Sequence, residues 1–329
     1  MSRRTALQVA GASTLWLVTG CSSGAGTPPP RPPASRSADE ALLDQARQDL
    51  AALLALATAI SGVRVRRTRP LAIPLAAVVS RLSTRLEALG AAAERRTGTV
   101  TAPGSDPDRA LRRLLAATVE LQRDLGAAGS GAHSGDLARL LASVAAGLAQ
   151  DAAVLVRLLP ESGTGPGLGG PRPTDAGLDV VDLPAGDTAS LDAAQQVLAG
   201  EHAAVYAYEV VGGRRRSSPP DLGRATRGYV VHRARRDALT AGLRAAGADP
   251  VVADATYELP VPVTSTATAR SVSQQVEDRC SLLYALLVAT APADRRGVRA
   301  EAATALTDAA LRLLSWGGPP TALPGVQRP

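Results

Sequence analysis

Gly247-Ala-Asp-Pro-Val-Val-Ala-Asp-Ala-Thr-Tyr-Glu-Leu-Pro-Val-Pro-Val-Thr-Ser265 is the stretch that decides the fold of the second half of this chain. It lies between two helical patterns and is long enough to run the length of a helix. Apolar residues recur at helical spacing near Ser190–Gly212, Asp221–Ala246, Thr266–Thr290 and Asp294–Trp316. The other two links, Gly213 to Pro220 and around Pro292, are short. A short-long-short order predicts a four-helix bundle with one crossover, in which the second and third helices run parallel.

Working outward, an earlier block repeats the helical spacing over Ala38–Ile60, Leu71–Glu94, Pro107–Leu125 and Gly135–Leu159, with breaks at Ser61-Gly62, Pro103-Gly104-Ser105 and Gly126–Gly131. Two bundles are expected, because 329 residues exceed what one core usually holds. Their extents are 39–160 and 188–316, with a Gly/Pro-rich linker at 161–187 and a disordered tail at 317–329. Composition agrees. Aromatics are 2% and Phe is absent, so Leu, Val and Ala must build the cores, and Ala and Leu favour helix. The fold class is all-α.

The N-terminus carries an export address. Arg3 and Arg4 precede an apolar stretch from Ala6 to Thr19, too short to span a bilayer stably. Leu17-Val18-Thr19-Gly20-Cys21 resembles the lipobox of bacterial lipoproteins. The resemblance implies a signal peptide at 1–21, lipid on Cys21 and anchoring at the outer face of the cytoplasmic membrane. Ser2-Arg3-Arg4-Thr5-Ala6-Leu7 also resembles a twin-arginine signal, and that route and general secretion both stay open. Residues 22–38, with Pro28-Pro29-Pro30-Arg31-Pro32-Pro33, read as an extended tether.

Net charge is +6, and all 36 basic residues are Arg; Asn is absent too, as a GC-rich genome would produce. Export argues against nucleic acid as partner and leaves anionic lipid or wall polymer, beside the simpler reading of Arg as the genome's default solubilising cation; no protein partner is specified. The Arg runs Arg64–Arg69 and Arg214–Arg216 fall in loops, where solvation is the simple reading. No phosphate-binding Gly loop, nucleophile elbow or Cys/His zinc spacing occurs.

Three segments then carry a second resemblance: Ala199-Gly-Glu-His-Ala-Ala-Val-Tyr-Ala-Tyr208, Tyr229-Val-Val-His-Arg-Ala-Arg-Arg-Asp237 and Ala255-Thr-Tyr-Glu-Leu-Pro-Val-Pro-Val263, with Gln275-Val-Glu-Asp278 and Tyr284 less specifically. Together they are similar to a ferritin-like domain of unknown function found in actinobacterial lipoproteins. The wider superfamily places a Glu on helices one and three and a Glu-x-x-His on helices two and four, holding two metal ions. Glu201 followed by Tyr206 and Tyr208, and Glu277 followed by Tyr284, match that pattern. His232 matches on helix two, but Tyr229 stands where the metal-binding Glu belongs. Helix four offers Glu301 and Asp308 with Thr304 and Leu311 where His is required.

Helical phase supplies a substitute for the metal. His232, Arg236, Leu239 and Leu243 fall on one face, which predicts Arg236 pointing inward between Glu201 and Glu277. Glu209 and His202 share the inner stripe of helix one, with Glu209 a candidate for a core ion pair. Asp308, Glu301 and Arg312 read as a solvated face, Cys280 as a buried inert thiol, and His133 as a loop residue without a role. The functional expectation is a non-enzymatic binding or interaction module with no cofactor. The alternative is a metal-binding or oxidoreductase domain holding iron, manganese or zinc on Glu201, His232 and Glu277.

Overall fold

The computed structural model describes residues 37–61, 72–90, 106–159, 171–174, 177–178, 181–213 and 219–326. The lipobox with Cys21, nearly all of the tether, both Arg-rich loops and most of the central linker lie outside the described residues. Among the described residues there are eight helices and no strand: α1 (Ala38–Ser61), α2 (Ala72–Ala88), α3 (Pro107–Gly131), α4 (Gly135–Leu158), α5 (Thr188–Gly212), α6 (Pro219–Ala245), α7 (Thr266–Thr290) and α8 (Arg296–Ser315). The described part of the chain is all-helical.

Helix starts follow local chemistry. Asp106 caps α3 by accepting from the amides of Asp108 and Arg109, with Pro107 in the first turn. Ser265 and Thr268 form a reciprocal capping box at α7, which stops the crossover link at a defined residue.

Direction follows from contacts at the ends of the helices. The Ser190 hydroxyl, at the start of α5, donates to the carbonyl of Thr290 at the end of α7. Gln195, also early in α5, bonds the Asp249 carbonyl and the Val251 amide just past α6. Asp221 and Arg270 join the first turns of α6 and α7 at 3.0 Å. Thus α5 runs antiparallel to both, and α6 and α7 run parallel, as the long link requires. The link is pinned along the way by Tyr257, whose ring meets that of Tyr206 at 5.6 Å.

Arg36–Pro329 form one compact unit. The reason lies in α4. A helix apolar on one stripe needs one neighbour, whereas one apolar all round must be covered all round. Every residue from Leu141 to Ala152 is buried. Leu141, Val144 and Leu148 enter a core shared with α1–α3, while Ala138, Ala142 and Ala146 enter the core of α5–α8. The sequence boundary at 161–187 therefore separates helices that pack on one another. By length and hydropathy α4 resembles a membrane span, but 72% of that window is buried inside the protein; it is the central core helix.

The C-terminal segment also departs from expectation. Residues 317–326 are ordered, not a disordered tail, because buried polar groups hold them. The buried Arg85 donates to the Ala322 carbonyl at 2.8 Å, Ser143 to the Pro324 carbonyl at 2.6 Å, and the Thr321 amide donates to Gln150 at 2.8 Å. Gly325 has φ +75°, and a Cβ there would lie 2.7 Å from the Ser281 carbonyl oxygen, so glycine is required on both counts.

Candidate functional site

Halfway along the second bundle, all four helices turn charged or polar side chains inward. Helix α5 contributes Glu201 and Tyr208. On α6, His232 and Arg235 stand three residues apart; on α7, Glu277, Cys280 and Tyr284 occupy one face, and on α8 Asp308 and Arg312 lie one turn apart. All nine are at least 95% buried. Burial of so many charged groups is tolerated only if they neutralise and bond one another.

His232 is the centre. Its Nδ1 lies 2.7 Å from Glu201 Oε2 and its Nε2 lies 3.2 Å from Glu277 Oε1. A neutral imidazole has one N–H and would leave one carboxylate facing a lone pair. Burial alone would push the imidazolium down, but the two carboxylate charges and their hydrogen bonds outweigh it and raise His232 to about 9. At neutral pH it is an imidazolium donating both ways. Glu201 moves in the opposite sense. Burial would raise it, yet His232, Arg235 and the Tyr284 hydroxyl hold it below the usual carboxylate value.

The two tyrosines cross over. Each stands seven residues after a Glu on its own helix, and each bonds the Glu of the opposite helix: Tyr208 donates to Glu277 Oε1 at 2.5 Å and Tyr284 to Glu201 Oε1 at 2.6 Å. Antiparallel α5 and α7 make this exchange possible. Burial and then the adjacent carboxylates push both phenols well up, so they remain donors. Trp316 donates its indole N–H to the Tyr208 oxygen at 3.0 Å, closing that end. Cys280 is pushed up by burial and by Glu201 and Glu277, and stays a neutral thiol.

Arg235 links this group to α8. Its Nη2 donates to Asp308 Oδ2 at 2.5 Å, and its guanidinium carbon lies 5.5 Å from the centre of the Tyr284 ring. Asp308 also receives Arg312 Nε at 3.1 Å and the Thr174 amide at 2.6 Å. Burial would lower Arg235, but Tyr284, Asp308, Glu201 and Glu277 together raise it further. Glu277 Oε2 and Arg235 Nε and Nη1 have no hydrogen-bond partner among the described residues.

Glu201, His232 and Glu277 thus come together as the sequence predicted. Arg236 does not join them. It bonds its neighbour Asp237 at 2.7 Å on the protein surface, and Arg235 takes the inner place. At about 100° per residue the two arginines flank the His232–Leu239–Leu243 stripe on opposite sides, so apolar pattern alone does not choose. Gly228 and Gly242 choose, and both lie toward Arg235. A Cβ at Gly228 would come within 2.6 Å of the Tyr208 ring, and one at Gly242 within 2.5 Å of the Val181 carbonyl oxygen. Residues with no side chain mark the packed face, and a hydrophobicity pattern does not register them. Glu209 is exposed and not in a core ion pair. Asp308 and Arg312 are buried instead of solvated, because α4, α3 and residues 171–174 cover that face of α8.

A dinuclear metal centre of the superfamily type does not fit these residues. Tyr229 stands in place of one ligand, Asp308 on helix four is taken up by Arg235, Arg312 and the Thr174 amide, Glu201 has both oxygens in hydrogen bonds, and Arg235 brings a fixed positive charge to the same place. The residues present define a class: an all-helical domain whose centre is a buried carboxylate–imidazolium–guanidinium cluster.

Within the chain, residues 193–328 match a domain of unknown function (DUF4439), a span that includes the whole cluster. The crystal structure of a conserved hypothetical protein, rv2844, from Mycobacterium tuberculosis is 32% identical; the match covers 40% of this chain and 96% of that one, with a TM-score of 0.37. No functionally curated protein matches.

Proposed function

We propose that this protein is an exported lipoprotein, held at the outer face of the cytoplasmic membrane by lipid on Cys21. Its second bundle is a degenerate ferritin-like fold that serves as a binding or interaction module and not as an enzyme. What carries the reading is charge closure. Glu201, Glu277 and Asp308 meet His232, Arg235 and Arg312, three formal negative charges against three positive, all buried in two hydrogen-bonded groups that adjoin where Arg235 lies over the Tyr284 ring. A proton on His232 and the guanidinium of Arg235 supply the positive charge that metal ions bring to a working ferritin-like site. The Arg-rich surface suits anionic lipid or wall polymer as the neighbour.

A second reading rests on a specific observation. Donor atoms of Glu201, His232 and Cys280 lie within 4.8 Å of one another. A single iron, manganese or zinc ion there would displace protons from His232 and Cys280 and leave the charge balance unchanged. Elemental analysis of the exported protein, beside thermal unfolding with and without chelator, separates the two. The favoured reading expects no stoichiometric metal and no chelator effect; about one ion per chain with a chelator-sensitive midpoint would replace it with the second. Anchoring is tested by Cys21→Ala, which should release the protein from the membrane fraction.

A further inference from the structure

Between α5 and α7, under the crossover link, lies a cavity of about 530 Å³, within the ~300–1,000 Å³ range of small-molecule sites. Its floor includes Cys280 and Leu283, so it sits directly outside the buried cluster. Apart from Gln196, the α5 wall is made of small residues. Gly200 lets the end of the Leu283 side chain lie against the α5 backbone, where a Cβ would come within 2.3 Å of Leu283 Cδ1. Ala199 and Ala203 line the space instead of filling it. The roof is fixed: Tyr257 packs on Tyr206, and its hydroxyl accepts from the Asp254 amide at 3.0 Å. No carboxylate lines the cavity, whereas the exposed Arg279 stands at its rim with no acidic partner among the described residues. A mostly apolar recess, with the neutral amides of Gln196 and Gln275 and one unpaired guanidinium as its polar lining groups, matches an apolar molecule with one anionic group.

We propose that this cavity binds a medium-chain carboxylate, its hydrocarbon against Ala203, Leu283 and Tyr257 and its carboxylate on Arg279. The proposal deepens the binding-module reading and rests on it. The Cys280 thiol stays protonated, so binding is non-covalent. Each methylene buried is expected to tighten binding roughly fourfold, so decanoate should bind up to about sixteenfold tighter than octanoate.

The test is titration calorimetry of the whole mature chain with octanoate, decanoate and decanol below their aggregation limits. Decanoate should bind saturably at one site and more tightly than decanol. Arg279→Gln should erase that preference, at a cost of about tenfold for the carboxylate. Ala203→Leu should abolish binding of both by filling the recess, with Ala199→Leu at the exposed edge as a second variant should the first unfold. Absence of saturable decanoate binding, equal affinity for decanol, or wild-type affinity in a folded Ala203→Leu or Ala199→Leu protein each overturns the proposal. Metal content reads the cluster independently, so failure here leaves the charge-closure reading standing.

Discussion

Arg235→Ala tests the cluster most directly. The substitution removes the cation between Asp308 and the two glutamates and leaves three carboxylates facing His232 and Arg312. Arg235 is 1% exposed and its Nη2 lies 2.5 Å from Asp308, so solvent cannot replace what is lost. Removing one partner of a buried pair costs about 3–5 kcal/mol, against a total stability of ~5–15 kcal/mol for a domain. The neighbouring Arg236→Ala supplies the control. That side chain bonds only Asp237 on the surface, and its loss should stay within about 0.5 kcal/mol. Urea unfolding at pH 7, followed by circular dichroism, reads both. In a double-mutant cycle, Arg235→Ala and Asp308→Ala together should cost less than the sum of the two alone, because each removes the other's reason for being charged. Equal midpoints for Arg235→Ala and Arg236→Ala would refute the reasoning.

The pH dependence follows from His232. Its folded value of about 9 lies above its ordinary 6.5, so its contribution is complete below roughly 6.5 and disappears as pH rises through about 9. Each tenfold gain in proton affinity on folding is worth about 1.4 kcal/mol, so stability should fall by a few kcal/mol between roughly pH 7 and 10. His232→Gln should flatten that limb in unfolding series taken across pH. Tyr284→Phe removes a 2.6 Å bond to a buried carboxylate and should cost about 1.5–3 kcal/mol in the same assay; a change under about 0.5 kcal/mol would mean that Glu201 finds another donor. Deleting residues 319–329 strips Arg85, Ser143 and Gln150 of carbonyl or amide partners. At about 1–3 kcal/mol for each unsatisfied buried group, the truncated protein should unfold well below the full chain, whereas a free tail would leave the melting temperature unmoved.

Much of this molecule was written in local pattern. The helix period, the Ala/Leu composition and the length of the 247–265 link determine eight helices and the parallel run of α6 and α7, because period and link length are properties of neighbouring residues. Glu201, His232 and Glu277 were legible by a different route, through the resemblance of the segments around them to ferritin-like sequences. Tertiary structure decided the rest. Arg235 and Arg236 are nearly equivalent in helical phase, and only the close approach of α5 and residue Val181 to Gly228 and Gly242 selects the inner one. Asp308 and Arg312 look solvated on their own helix and become buried through α3, α4 and a segment more than a hundred residues earlier in sequence. The tail beginning at Gly317 has the composition of a free end, yet Arg85, Ser143 and Gln150, far away along the chain, have buried donors and acceptors that need its backbone. A helical pattern reports what one element needs to bury, but which distant element covers it is settled only when the whole chain closes.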